Sequence, residues 1–182
     1  MASSVLRRTS GFPTPIGGQP PADPGVINLP LPRLGGEAPL MPLNLEALET
    51  SFDLVAPRGE ELIDLFYAKL FAAAPAVRPL FAYTDLRRQK AMLLGTLVLL
   101  RKSLRDLDAI LPKLRALGAR HVAYGAEPEH YPLVGQVLIE SMADVGGAAW
   151  RTEYSTAWAA AFDVVAGAML DGAAAEELAE AA

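Results

Sequence analysis

The chain has 182 residues, 52% of them hydrophobic, a formal charge of -5 and no cysteine. That length suits one well-buried domain and is short for two ordinary ones plus connections. The acidic balance gives no basic footprint for nucleic acid and no polybasic anchor for a membrane, and the missing thiols exclude disulfides, thiolate metal sites and cysteine nucleophiles.

Any metal must therefore be held by His, carboxylate or Tyr. Mean hydropathy is +0.24, yet the apolar runs read as broken by charge or glycine short of the roughly 18 to 20 residues that a membrane span needs. The expectation is a soluble protein with no membrane span. No apolar segment follows the twin arginine Arg7 and Arg8, so no export signal is expected and a cytoplasmic location is the default.

Residues 1–42 hold nine of the fifteen prolines and six of the fifteen glycines. Such a stretch supports neither a helical ladder nor an alternating strand, which predicts a disordered arm. From Leu43 onward helical periodicity takes over, and the domain is expected over 43–175 with a frayed tail at 176–182. Asn44 caps a first helix to about Val55, and Pro57 opens a second that carries Leu62, Ile63, Phe66, Tyr67, Leu70 and Phe71 and stops before Pro75. A short turn leads to Phe81. Thr84 or Asp85 then caps a long helix with Gln89 one turn before Leu93.

Residues 107–121 read as one amphipathic helix, with Leu107, Ile110, Leu111, Leu114 and Leu117 on a stripe that ends at His121. A further helix starts at His130, Tyr131 and Pro132. The last runs from Ala148 to about Leu170, where Trp150, Tyr154, Trp158, Phe162, Val165 and Met169 recur at three and four residues. No segment alternates with period two, so the expected class is all-α, with six or seven helices and no sheet.

Three inward positions carry polar groups: Tyr67, Gln89 and His121. Each alone has an ordinary reading, namely a buried ring with a satisfied hydroxyl, an amide at a solvated edge, and a core histidine. Together, on three separate helices, they outline a pocket with one Lewis base on one wall and two hydrogen-bonding groups on another, as a haem site requires.

At this point the sequence resembles the globins, and among them the bacterial single-domain haemoglobins and the globin half of flavohaemoglobins. The resemblance runs over some 120 residues, from Phe52 to about Leu170. It rests on Phe66 and Tyr67, on Leu70 and Phe71, and on Pro75 with Arg78, Pro79, Leu80 and Phe81. It continues through Gln89 and Leu93, Leu111 and Pro112, Arg120 and His121, and the run HYPLVG from His130. It implies a three-over-three helical fold with haem b between the helix of Gln89 and the helix of His121. It further implies His121 as the proximal iron ligand, Phe81 stacked on the porphyrin, and Tyr67, Gln89 and Leu93 in the distal pocket. An imidazole that binds iron through one nitrogen is oriented by a hydrogen bond from the other, here expected to a backbone carbonyl near Leu117. The small residues Gly118 and Ala119 are expected to let the porphyrin approach.

Two departures from the family pattern matter. Tyr131 matches the tyrosine that orients the proximal histidine, but the glutamate that shares this task falls on Ala173, with Asp171 the nearest acid. Met92 stands where relatives often have a lysine near the haem propionates, so Arg88, Lys90, Arg120 or Tyr124 would substitute. No glycine-rich dinucleotide fingerprint follows, so redox turnover calls for an external reductase. The leading expectation is a haem protein that reversibly binds dioxygen and other diatomic gases, with nitric oxide dioxygenation open to it when re-reduced. A gas-sensing or stress-signalling globin acting through a protein partner is the rival, and a haem-free helical module is a third reading that intact His121 and Phe81 oppose.

Overall fold

The computed structural model describes residues 43–180; the arm expected over 1–42 and the last two residues lie outside the described residues. Six α-helices and no strand occur among the described residues: α1 Leu45–Val55, α2 Gly59–Ala73, α3 Leu86–Ser103, α4 Leu111–Ala123, α5 His130–Gly146 and α6 Thr152–Glu180. Short 3-10 turns join several of them.

Helices begin where the sequence supplies partners for their free N–H groups. The Asn44 side chain accepts from the Ala47 N–H at 3.0 Å, and Asp85 accepts from Arg87 and Arg88 at 3.0 and 3.2 Å. Prolines 57 and 75 open 3-10 turns, where a missing donor costs nothing. The stretch expected as one helix from Leu107 is divided. A 3-10 turn covers Leu107–Ala109, and α4 starts only at Leu111. Pro112 has no N–H to return to the carbonyl four residues earlier, and its ring clashes there, so the ladder breaks and restarts with the proline in the first turn.

The last helix also differs from expectation at both ends. Gly147, with φ of +54°, turns the chain into a 3-10 segment at Gly147–Ala149, and α6 begins at Thr152. It then continues past Leu170 through Glu180, because alanine, glutamate and leucine over that stretch are strong helix formers. Residues Thr152–Ala179 are long and apolar enough, by length and composition, to cross a membrane, contrary to the reading that every apolar run was interrupted. Part of the helix packs on α1, α4 and α5, where Tyr154, Trp158, Ala161 and Met169 are buried.

The main core gathers Leu48, Val55, Leu62, Ile63, Phe66 and Met142 from α1, α2 and α5. Its buried polar groups are paired: the Trp158 indole N–H donates to Ser51 Oγ at 2.9 Å, and Ser51 donates to the Ala47 carbonyl at 2.6 Å. By contrast α3 buries only Leu97 along its length. Leu93, Leu94, Val98 and Leu100 pack half-buried on the core, and ion pairs add to this, with Arg101 on Asp53 at 2.9 Å, Lys90 on Asp64 at 2.7 Å and, just past the helix end, Arg105 on Glu49 at 2.8 Å. The side of α3 that carries Met92 and Leu99 is exposed among the described residues.

α4 and α6 meet backbone to backbone. A Cβ added to Gly118 would strike the Met169 carbonyl, and one added to Gly172 would strike the Arg115 carbonyl. Gly118 is buried in this contact. It therefore serves the approach of α6, not that of a porphyrin, which corrects the expectation for this glycine. Gly118→Ala is expected to lower the urea unfolding midpoint by an amount equivalent to about 2 kcal/mol or more, since rigid backbone cannot yield to the added methyl. Gly167→Ala, where a Cβ meets nothing within 4 Å, should instead raise stability by about 0.5 to 1 kcal/mol through helix propensity alone.

Candidate functional site

His121 occupies the last full turn of α4, and the end of that helix is well determined. The Ala126 N–H donates to the His121 carbonyl at 3.0 Å and the Gly125 N–H to the Val122 carbonyl at 2.9 Å. These are the two bonds of a Schellman cap, with Gly125 at φ +76° in the left-handed position. The turn that carries the imidazole is thereby closed by backbone bonds. Within it, His121 Nδ1 lies 2.8 Å from the Leu117 carbonyl, as expected from the sequence. A carbonyl only accepts, so Nδ1 carries a proton, which in the neutral ring leaves the lone pair on Nε2, a nitrogen with no hydrogen-bond partner among the described residues.

Between α3 and α4 lies a cavity of about 320 Å³ whose walls are mostly apolar, with Met92 and Leu99 from α3 and Leu114 and Leu117 from α4. Exposed Lys113 and Arg120 also line it. His121 is not part of this lining; it lies one turn beyond Leu117 on the same helix. Large apolar side chains stand in solvent around the cleft, including Met92 at 56% and Leu99 at 42% exposure. Contiguous exposed apolar surface of this kind marks a place where something else binds.

The distal candidates come together at the N-terminal end of α3. Tyr67 is buried, with its ring centroid 5.8 Å from those of Phe81 and Phe71, and Phe71 and Phe81 are 5.4 Å apart, edge to face. Burial pushes the Tyr67 phenol above its ordinary value, and the nearby Gln89 side chain offsets part of that rise by hydrogen bonding. No bond of strict geometry joins them, so the contact is loose. Gln89 and Leu93 are half-buried on α3, and Leu93 packs against the main core.

Other expected residues fall elsewhere. Tyr124 is 60% exposed, with its ring edge-on to His121 at 5.7 Å between centroids. Tyr131 is buried in a second cluster with Ile110, Leu114, Ala168 and Met169, and its hydroxyl has no hydrogen-bond partner among the described residues. Of the four candidates for anchoring propionates, Arg120 lines the cleft, Tyr124 stands near His121, Lys90 is engaged with Asp64 and Arg88 is exposed. Lys113 was missed in the sequence reading. Its spacing of four from Leu117 and seven from Arg120 places all three on one helical face and would have found it.

The donor set decides what kind of metal centre is feasible. Among the described residues no three His, Asp or Glu side chains gather to hold an ion. A macrocycle that brings its own equatorial donors needs only an axial base from the protein, and His121 Nε2 is one. A flat apolar ring with acidic edges also fits a greasy slot with Lys113 and Arg120 beside it. The residues present therefore fit a haem.

Fold and site together define an all-helical protein with an apolar cleft between α3 and α4 and, one turn beyond that lining on α4, the His121 imidazole. The globin family model matches residues 64–169, and the chain belongs to the globin family, whose members hold haem and bind diatomic gases. Among curated relatives, the flavohemoprotein of Bacillus thuringiensis is 31% identical over 128 residues, covering 69% of this chain and 31% of that protein. The flavohemoprotein of Bacillus subtilis is 27% identical over the same length, covering 69% and 32%. The chain thus spans about a third of the length of the curated relatives it matches. Among solved structures, an engineered carbene transferase from Rhodothermus marinus has a TM-score of 0.69 at 22% identity, over 76% of this chain and 96% of its own. A bacterial globin from Campylobacter jejuni gives 0.63 at 22% identity, over 75% and 96%. These two likenesses bear out the globin-like three-over-three fold.

Burial raises the Tyr67 and Tyr131 phenols above 10.0 in the folded chain. The unfolded chain loses these protons first as pH climbs, so folding stability is intact below pH 10 and falls as pH rises through the raised values. The fall in urea midpoint across pH 10 should be shallower in Tyr67→Phe than in the parent chain.

Proposed function

We propose that this chain is a haem b globin that reversibly binds dioxygen, with His121 Nε2 as the axial base. The observation that carries the reading is the His121 Nδ1 to Leu117 carbonyl bond of 2.8 Å, which fixes both ring orientation and tautomer in a capped helical turn. When bound, haem supplies a ferrous centre that takes up a diatomic ligand. The chain's own residues do the rest. Leu114, Leu117, Leu99 and Met92, which line the cleft, would shield a bound haem from water, and Lys113 and Arg120 beside them would pair with its carboxylates. Phe81 and Tyr67, 5.8 Å apart between ring centroids, stand outside the lining of that cavity.

Tyr67 and Gln89 supply donors on the distal side. The phenol proton is held firmly, because burial opposes its loss, and the Gln89 amide offers a second donor. Both stabilise a ligand that gathers negative charge, which predicts tight oxygen binding with slow release. His130 is no competing base: its Nδ1 accepts from the Glu127 N–H at 3.0 Å, at the start of α5. The likeness to the globin part of flavohemoproteins supports nitric oxide dioxygenation as a use of this site. Its electrons would come from a reductase outside these 182 residues. A cytoplasmic setting is part of the same proposal.

The deciding measurement is an absorption spectrum of the purified protein, reduced and then exposed to carbon monoxide. The expected result is a Soret band that shifts with carbon monoxide, five-coordinate in the ferrous form, and lost or strongly weakened in His121→Ala. A spectrum without a Soret band after haem addition, or one unchanged in His121→Ala, would sink the reading. Tyr67→Phe should speed oxygen dissociation at least several-fold, since one hydrogen bond is worth roughly 1 kcal/mol; stopped-flow displacement of oxygen by carbon monoxide reads this directly.

A further inference from the structure

Charge is placed unevenly along this chain. From Asp85 to Arg120 stand nine lysines and arginines against three carboxylates, a surplus of six in a chain whose formal charge is -5. Lys90, Arg101, Arg105 and Arg115 are taken by carboxylates of α1, α2 and α6. Arg88 and Lys102 on α3, with Lys113 and Arg120 on α4, are exposed and make no ion pair among the described residues. Asp85 is occupied with capping α3.

The four exposed cations frame one surface. Met92 and Leu99 line the cleft between α3 and α4 and remain exposed. Arg88 lies four residues before Met92 and Lys102 three after Leu99, spacings that put the cations at the two ends of one apolar stripe on α3. Lys113 and Arg120 line the cleft from α4. In the middle of the stripe is Gly95, where even a Cβ would meet nothing within 4 Å, so a partner can approach the helix closely. An apolar centre with a charged rim has the make-up of a protein interface, in which methionine and arginine are enriched. The chain outside this segment is correspondingly acidic. An extended polyanion, such as a duplex or an anionic membrane, meets that repulsion, whereas a compact acidic protein touches only the basic face.

We propose that this face docks an acidic one-electron donor protein. The donor's carboxylates pair with Arg88 and Lys102, and its apolar contact covers Met92 and Leu99. Lys113 and Arg120 are shared with the carboxylates of a bound haem, so Arg88 and Lys102 are the pair that serves the donor alone. The face surrounds the mouth of the cleft that fits a haem, which is where a donor has to stand to reach it. One electron leaves the reduced donor and converts ferric to ferrous iron, with no bond made or broken. This use rests on the haem reading, whereas docking does not.

The test uses the full chain with flavodoxin, an acidic flavin protein, as the probe. Calorimetry reads binding of oxidised flavodoxin with and without added haem, and stopped flow under carbon monoxide reads reduction of the ferric haem protein by reduced flavodoxin. At low salt, Arg88→Glu and Lys102→Glu should each weaken binding and slow reduction about fivefold, within the roughly 10- to 1,000-fold that electrostatic steering supplies. Arg115→Glu, the same charge change at a residue of α4 outside the cleft lining and paired with Asp171, should alter either by less than about twofold. The losses should vanish near 1 M salt, where the screening length is about 3 Å. No binding at low salt, or an equal loss in Arg115→Glu, would overturn the face. Vesicles of phosphatidylglycerol or duplex DNA that bind through Arg88 and Lys102 where flavodoxin does not would overturn it in favour of a membrane or a nucleic acid. Binding to the haem protein without reduction overturns the donor role alone. Binding that depends on Arg88 and Lys102 in a chain that takes up no haem supports the face and overturns only the haem reading.

Discussion

The rest of the structure depends on the close contact of α4 with α6. Two glycines, Gly118 and Gly172, each leave room for a carbonyl of the opposite helix, and helices that pack without intervening side chains are held at a separation no other residue type allows. This contact fixes the axial position of α4. It therefore fixes where His121 stands, because the imidazole is three residues past Gly118 and its ring is tied back to Leu117. The cluster of Ile110, Leu114, Tyr131, Ala168 and Met169 packs around the same contact.

Against that rigid pair, α3 is held loosely. It fully buries only Leu97, packs Leu93, Leu94, Val98 and Leu100 half-buried on the core, and adds ion pairs to α1 and α2, and pairs of this kind at a solvated surface add little to stability. The exposed apolar side chains of α3 that face the cleft are therefore unburied without a cofactor. In the proposed reading, haem binding supplies the missing burial for this helix and couples cofactor uptake to its ordering. The positions of Tyr67 and Gln89 follow from the same division: Tyr67 sits in the fixed core on α2, while Gln89 rides on the less constrained helix.

Several local features were legible in the chain itself. Asn44 and Asp85 announced their helices because a short polar side chain before an apolar repeat answers the free N–H groups of the first turn. The tie from His121 to the carbonyl one turn back was legible too, because it uses only helical spacing. The stretch from Leu107 was read as one helix, and the structure starts α4 at Leu111 with Pro112 in its first turn. The last helix was cut short at Leu170, where a run of alanine was taken for fraying although alanine is the best helix former.

The sequence by itself determined the helical class, the capped helix starts and the tautomer of His121, because each depends on residues within a turn or two of one another. Only the tertiary structure decided that Gly118 faces α6, that Lys113 and Arg120 share the cleft while Lys90 is taken by Asp64, and that Tyr131 packs with Ile110 and Met169. Those facts depend on which helix lies against which face. Helical periodicity shows that a face is apolar or small, but only packing shows what covers it.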